Sequence, residues 1–314
     1  MRPLNYEFHM NKPTPNPELA AFRKQIDDID DQLIRLLLER TKIIGQVGEL
    51  KRRIAPGICP IRPGREAEMV RRIISAFDGT TNTPKLAPSA AAAMWRTLIG
   101  ASTSLESNLT ISVFTPERES DLFWMAREYF GPSVQITRQP YVKRVIGDVM
   151  DGKAAVGIMP VLRSSDTTFW WTNLTQQNND TPKVFAQIPF VYHGTPARNV
   201  QAGLAIAKLT PEDSGDDQTL LVLEVDQNVS QNKLQTSFAT AKLEATWINI
   251  ATLIPNVRHH LIELKGFVTP EHEGIKSLLT TLGPSVYNVA FLGSYAVPVI
   301  IETTKISSGA NVAV

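Results

Sequence analysis

The sequence predicts a multidomain protein: an all-α N-terminal domain of three helices, then an α/β segment, then a βαββαβ unit. Three observations predict it. From Leu19 to Ile54 apolar residues recur at alternating steps of three and four, the seam of a long packed helix. From Asn108 the pattern changes to short apolar runs alternating with helical stretches. From Thr219 the signals follow in the order strand, helix, strand, strand, helix, strand. The expected boundaries are a flexible tail at 1–14, a helical domain at 15–107, an α/β domain at 108–217, the βαββαβ unit at 218–302 and a flexible tail at 303–314.

The first helix starts at Asn16-Pro17-Glu18, with a capping side chain, a proline in the first turn and an acid at the positive end. It runs to about Arg53, where Ala55-Pro56-Gly57 stops it. Such a rod is about 55 Å long at 1.5 Å per residue, so it needs a partner along its length, and a dimer of packed long helices is expected. A second helix is expected over Arg65–Phe77, a polar linker over Asp78–Pro84 and an alanine-rich helix over about Pro88–Ser107. The α/β segment reads as strand Leu109–Phe114, helix Glu119–Phe130, strand Val134–Thr137, helix Val142–Met150 and strand Ala154–Met159, which implies a parallel layer. A polar stretch, Arg163–Pro182, holds Trp170-Trp171, read as a core or interface anchor. Strand-like segments follow at Val184–His193 and Gly203–Lys208. The last unit reads as Leu220–Val225, Val229–Ala241, Ala245–Leu253, His260–Lys265, Glu273–Leu282 and Val286–Ser294, a ferredoxin-like plan.

Composition narrows the function classes. Thirty-two Lys and Arg against 31 Asp and Glu leave no field for nucleic acid or an acidic membrane surface. One cysteine, Cys59, excludes an internal disulfide. No run reaches the roughly 18 apolar residues of a membrane span, and Met1–Pro15 lacks the apolar core of a signal peptide. The expected location is the cytoplasm. His259-His260 are adjacent in a strand and point to opposite faces, which argues against a metal site.

The position that breaks the long apolar seam is Arg40. A guanidinium in an apolar seam is costly unless an anion meets it. Lys51, eleven residues on, returns to within about 20° of the same helical face. Two cations on an inward face point to a substrate with more than one carboxylate.

These residues carry a resemblance. Phe22-Arg23-Lys24-Gln25-Ile26-Asp27-Asp28-Ile29-Asp30, Leu36-Leu37-Leu38-Glu39-Arg40, Val47-Gly48-Glu49-Leu50-Lys51, Pro60 to Glu68 and Trp95-Arg96-Thr97-Leu98-Ile99 with Ser102 resemble, in order, the all-helical class of chorismate mutases. The resemblance implies a domain-swapped helical dimer that converts chorismate to prephenate by a pericyclic rearrangement, with no cofactor, metal or covalent intermediate. It implies that Arg40 clamps a carboxylate, and that Lys51 donates to the ether oxygen and a carboxylate. Glu66 accepts from the ring hydroxyl with Arg65 beside it, and Ser102 contacts a carboxylate. Arg23 lies about 100° around the helix from Arg40, and in the family it reaches across from the other subunit. Glu106 falls where the family has Gln or Glu, four residues after Ser102 and on the same face. It donates to the ether oxygen only when protonated, so a carboxyl pKa raised by burial is expected. The loop between Lys51 and Glu66 is longer than in minimal members of the class, with Pro63 where some carry an acid.

Residues 109–160 resemble the opening of a prephenate dehydratase, in Ile111 to Glu117, Tyr129-Phe130-Gly131 and Asp151 to Pro160; the end of the chain resembles an ACT domain, in Phe291-Leu292-Gly293-Ser294-Tyr295. The departures point away from dehydration. Only about 110 residues lie between mutase and ACT-like unit, too few for two lobes. Where a Thr-Arg-Phe signature is expected stand Asp217 to Leu221, and Val161 to Ser165 replace a Glu-Asn-Ser triplet. Ser230 to Leu234 and Thr252 to Asn256 replace the motifs that hold phenylalanine in ACT domains of this context. The expected function is a chorismate mutase of phenylalanine and tyrosine synthesis with a non-catalytic, regulatory C-terminal region, dimeric through the first helix, with the ACT-like unit as a further dimer contact. The alternatives are a bifunctional mutase–dehydratase and a non-enzymatic ligand-binding regulator.

Overall fold

The computed structural model describes residues 16–54, 59–78, 86–107, 109–116, 121–161, 169–176, 178, 180–194 and 202–302. The expected tails, the linker after Asp78 and Arg163–Ser165 lie outside the described residues.

Three helices open the chain: α1 (Pro17–Ile54), α2 (Pro63–Phe77) and α3 (Pro88–Glu106). Asn16 caps α1 as expected, its Oδ1 accepting from the backbone N–H of Glu18 at 2.9 Å. α2 starts two residues earlier than predicted, with Pro63 in its first turn, where a missing N–H costs nothing. The seam of α1 is uncovered along its length. Phe22 is 53 % exposed and Leu33 52 %, and Gly48 is the one buried residue of the helix.

Then follow β1 (Thr110–Phe114), α4 (Asp121–Phe130), β2 (Gln135–Gln139), α5 (Val142–Met150) and β3 (Val156–Pro160). A short 3-10 turn, Trp170–Leu174, buries both tryptophans, so they are core anchors. β4 (Lys183–Ile188), β5 (Val191–His193) and β6 (Gly203–Ala207) come next. The predicted strand Val184–His193 is thus two strands. Between them lies Pro189, which has no N–H for a sheet ladder and follows a cis peptide bond. The last unit is β7 (Asp217–Asp226), α6 (Gln231–Thr240), β8 (Ala245–Ile254), β9 (Val257–Lys265), α7 (Glu273–Leu282) and β10 (Val286–Ala296), the βαββαβ order expected. β11 (Val299–Ile301), which the sequence reading missed, pairs with β5.

Two expectations about the sheet need correction. The α/β layer is parallel only through β2-β1-β3. β6 pairs antiparallel with both β3 and β4. Parallel neighbours need a crossover helix; α4 and α5 supply it up to β3, and no α-helix among the described residues does so between β3 and β6. Second, the α/β layer and the βαββαβ unit share one nine-stranded sheet, in the order β2-β1-β3-β6-β4-β10-β7-β9-β8. The seam is a single parallel pairing, Gly293 of β10 with Val184 of β4. Gly293 has φ +137°, and a Cβ there would lie 2.1 Å from the Val184 carbonyl oxygen, so only glycine permits the approach. One core cluster runs across this seam, from Val145 and Trp171 to Leu220, Leu261 and Leu292.

The helices are fused to the sheet as firmly. Ala92 and Ile99 of α3 share a core with Ile111, Phe130, Ile188 and Phe190. At Gly100 a Cβ would come within 1.9 Å of the Phe130 carbonyl oxygen. From α2, Arg71 donates to the carbonyl oxygens of Ser214 and Asp216 at 2.8 Å and of Val297 at 3.2 Å.

Candidate active site

The site lies where the C-terminal half of α1 meets the end of α3. Gly48 makes the meeting close: a Cβ there would stand 3.1 Å from the Glu106 Cα. Arg40 and Lys51 share one face of α1, and Ser102 and Glu106, four residues apart, share one face of α3. The facing helices bring them together in pairs. Arg40 Nη1 donates to Ser102 Oγ at 2.6 Å, and that hydroxyl donates to the Leu98 carbonyl. Lys51 Nζ donates to Glu106 Oε2 at 2.5 Å, and Arg52 Nη1 to the Glu106 carbonyl at 3.1 Å. Both functional side chains of the second pair are largely sheltered, Lys51 at 33 % and Glu106 at 16 % exposure.

Glu66 has a different partner from any the sequence suggested. It accepts from Arg96 Nη1 of α3 at 3.1 Å, and both side chains are buried. Burial raises the Glu66 carboxyl above the ordinary range, opposed by the Arg96 charge and by the Arg62 N–H. Burial pushes the Cys59 thiol, on the loop before α2, up to about 11.

Arg65 is exposed and forms no ion pair among the described residues. Arg23 is also exposed, and seventeen residues of helix put it about 25 Å from Arg40, beyond any side chain's reach within one chain. Arg96 was legible as a signal that went unused: it is the one cation in the nineteen-residue α3. Its other neighbours, the rings of Tyr129 and Phe190, come from the α/β layer. Among the described residues no cluster of metal-ligating side chains is present, and no helix is long and apolar enough to cross a membrane.

Comparison with known proteins places these helices. Residues 22–107 match the family model described as chorismate mutase type II. Among curated proteins, the bifunctional chorismate mutase/prephenate dehydratase of Aquifex aeolicus is 30% identical over 149 residues, 46% of this chain and 39% of the relative. That of Pseudomonas aeruginosa is 26% identical over 152 residues, 48% of this chain and 40% of the relative. Both matches are longer than residues 22–107, so they extend past the helices, yet each spans about two fifths of the relative's length. Among solved structures, a prephenate dehydratase from Streptococcus mutans is 18% identical, with a TM-score of 0.45, covering 62% of this chain and all of that one. The site described above thus sits wholly within the segment that matches the chorismate mutase type II model, residues 22–107.

Proposed function

We propose that the protein is a chorismate mutase, converting chorismate to prephenate in phenylalanine and tyrosine synthesis, and that it acts as a homodimer. The observation that carries the reading is the pairing of Arg40 with Ser102 and of Lys51 with Glu106 on facing helices, from positions 62 and 55 residues apart in the chain. The rearrangement breaks a C–O bond while a C–C bond forms in one folded substrate. Its demands are positioning and stabilisation of charge at the ether oxygen. Arg40 and Ser102 fix one carboxylate of the dianion. Lys51 leaves Glu106 for the incoming anion and donates to the ether oxygen, and Glu106 in its O–H form adds a second donor. Glu66 accepts from the ring hydroxyl. Arg23 is supplied by the second subunit, whose long helix covers the apolar stripe left open here.

In this reading the α/β layer and the βαββαβ unit, which we take as ACT-like, perform no dehydration, because no arginine stands within Asp217–Leu221. A bifunctional mutase–dehydratase is the second reading, supported by the names of the curated relatives. One assay separates them. Purified protein given chorismate is quenched, and prephenate and phenylpyruvate are quantified. Prephenate alone is the expected outcome. Phenylpyruvate establishes the second reading, and untouched chorismate removes both.

A further inference from the structure

We propose that the α/β layer has a direct task in the mutase chemistry: Tyr129 and Phe190 clamp Arg96, and Arg96 holds Glu66, so that all three are positioning residues for that carboxylate. The inference rests on the chorismate mutase reading above. Its starting point is that Arg96 makes too few hydrogen bonds to fix its own plane. Nη1 donates to Glu66 at 3.1 Å, while the buried Nε and Nη2 have no hydrogen-bond partner among the described residues. A guanidinium held by one hydrogen bond is free to swing about it. What stops the swing is two aromatic faces, with the guanidinium carbon 4.0 Å from the ring centroid of Tyr129 and 5.1 Å from that of Phe190. Tyr129 is on α4 and Phe190 between β4 and β5, so neither belongs to the mutase helices. The close approach of Gly100 to Phe130 sets the spacing between α3 and α4 at which the first ring can stack.

The charges around Glu66 show what the clamp regulates. Arg96 and the Arg62 N–H favour the carboxylate, Glu212 opposes it, and burial outweighs them. The Tyr129 phenol is pushed up to about 12 and the Cys59 thiol to about 11, so both face Glu66 as neutral groups in the physiological range. Arg96 is therefore the main counterweight to burial. Loosening it raises the Glu66 pKa further. The carboxylate form of Glu66 is the stronger acceptor for the substrate hydroxyl, so turnover that falls on the acid side then falls at higher pH.

The test uses the full-length protein and the variants Tyr129→Leu and Phe190→Leu, checked for fold by circular dichroism. Phe123→Leu is the control, since it breaks a guanidinium–ring pair of the same layer, with Arg138 at 4.0 Å, that does not touch Arg96. Each ring variant is expected to lower kcat on the order of tenfold, with a smaller change in KM, and to move the acid limb of the pH–rate profile upward. The control leaves that limb in place. Carbon-13 NMR of the Glu66 carboxyl, which needs no turnover, is expected to show its titration midpoint moving upward in Tyr129→Leu. An unmoved limb and midpoint in both ring variants overturns the proposal. If the wild-type protein leaves chorismate untouched while the midpoint still moves, the mutase reading fails, and with it the task, and the clamp alone remains.

Discussion

At the scale of single residues, Glu106 decides most about the chemistry. It accepts from Lys51 Nζ at 2.5 Å. A carboxylate cannot give a proton to an ether oxygen, whereas the O–H form and a glutamine can. Glu106→Gln, which keeps a donor at that position, is therefore expected to retain turnover, and Glu106→Ala to lose it. Turnover of Glu106→Ala equal to that of Glu106→Gln removes Glu106 from the hydrogen-bond-donating role. Arg40 was legible because it broke an apolar register, and Ser102 and Glu106 because their spacing gives one helical face. Arg96 stood out as the one cation of α3, but its role was not legible, since that depends on Tyr129 and Phe190, 33 and 94 positions on in the sequence, and no periodicity in α3 reports a contact with them.

At the scale of elements, helices and strands were read to within a few residues wherever a hydrophobic period spans the whole element. α1 ends one residue past its expected limit, and α5 and α7 match their expected bounds. Misreadings fell where a residue acts against its neighbourhood, as Pro189 does in dividing β4 from β5. The sheet's unity was illegible for a related reason. It hangs on Gly293, which in a strand pattern signals only a bulge or a close approach, not what approaches. A methyl at that position meets the β4 backbone and a φ of +137° together. Gly293→Ala is expected to cost about 3 kcal/mol or more in urea unfolding. A loss below about 1 kcal/mol would mean that β4 and β10 do not pack as described.

At the scale of the whole molecule, the proposed homodimer would cover the open stripe on α1 and bridge the distance from Arg23 to Arg40. Complementation tests it directly. Arg23→Ala and Arg40→Ala homodimers are each expected to lose turnover by a factor on the order of a hundred or more. Dissociated and reassembled together at random, half the dimers are mixed and each mixed dimer has one intact site of two, so roughly a quarter of wild-type activity returns. No recovery would place Arg23 and Arg40 in the same site of one subunit, or outside the site altogether.

The order of the sheet also governs how the molecule is made. β10 is among the last strands to leave the ribosome, yet it lies mid-sheet, between β4 and β7. Until it arrives, β4 exposes the edge that β10 pairs with in the finished sheet. Synthesis thus passes through a stage in which α1 to α3 are complete and their scaffold is not, and the nascent chain is most vulnerable to wrong pairing in that interval.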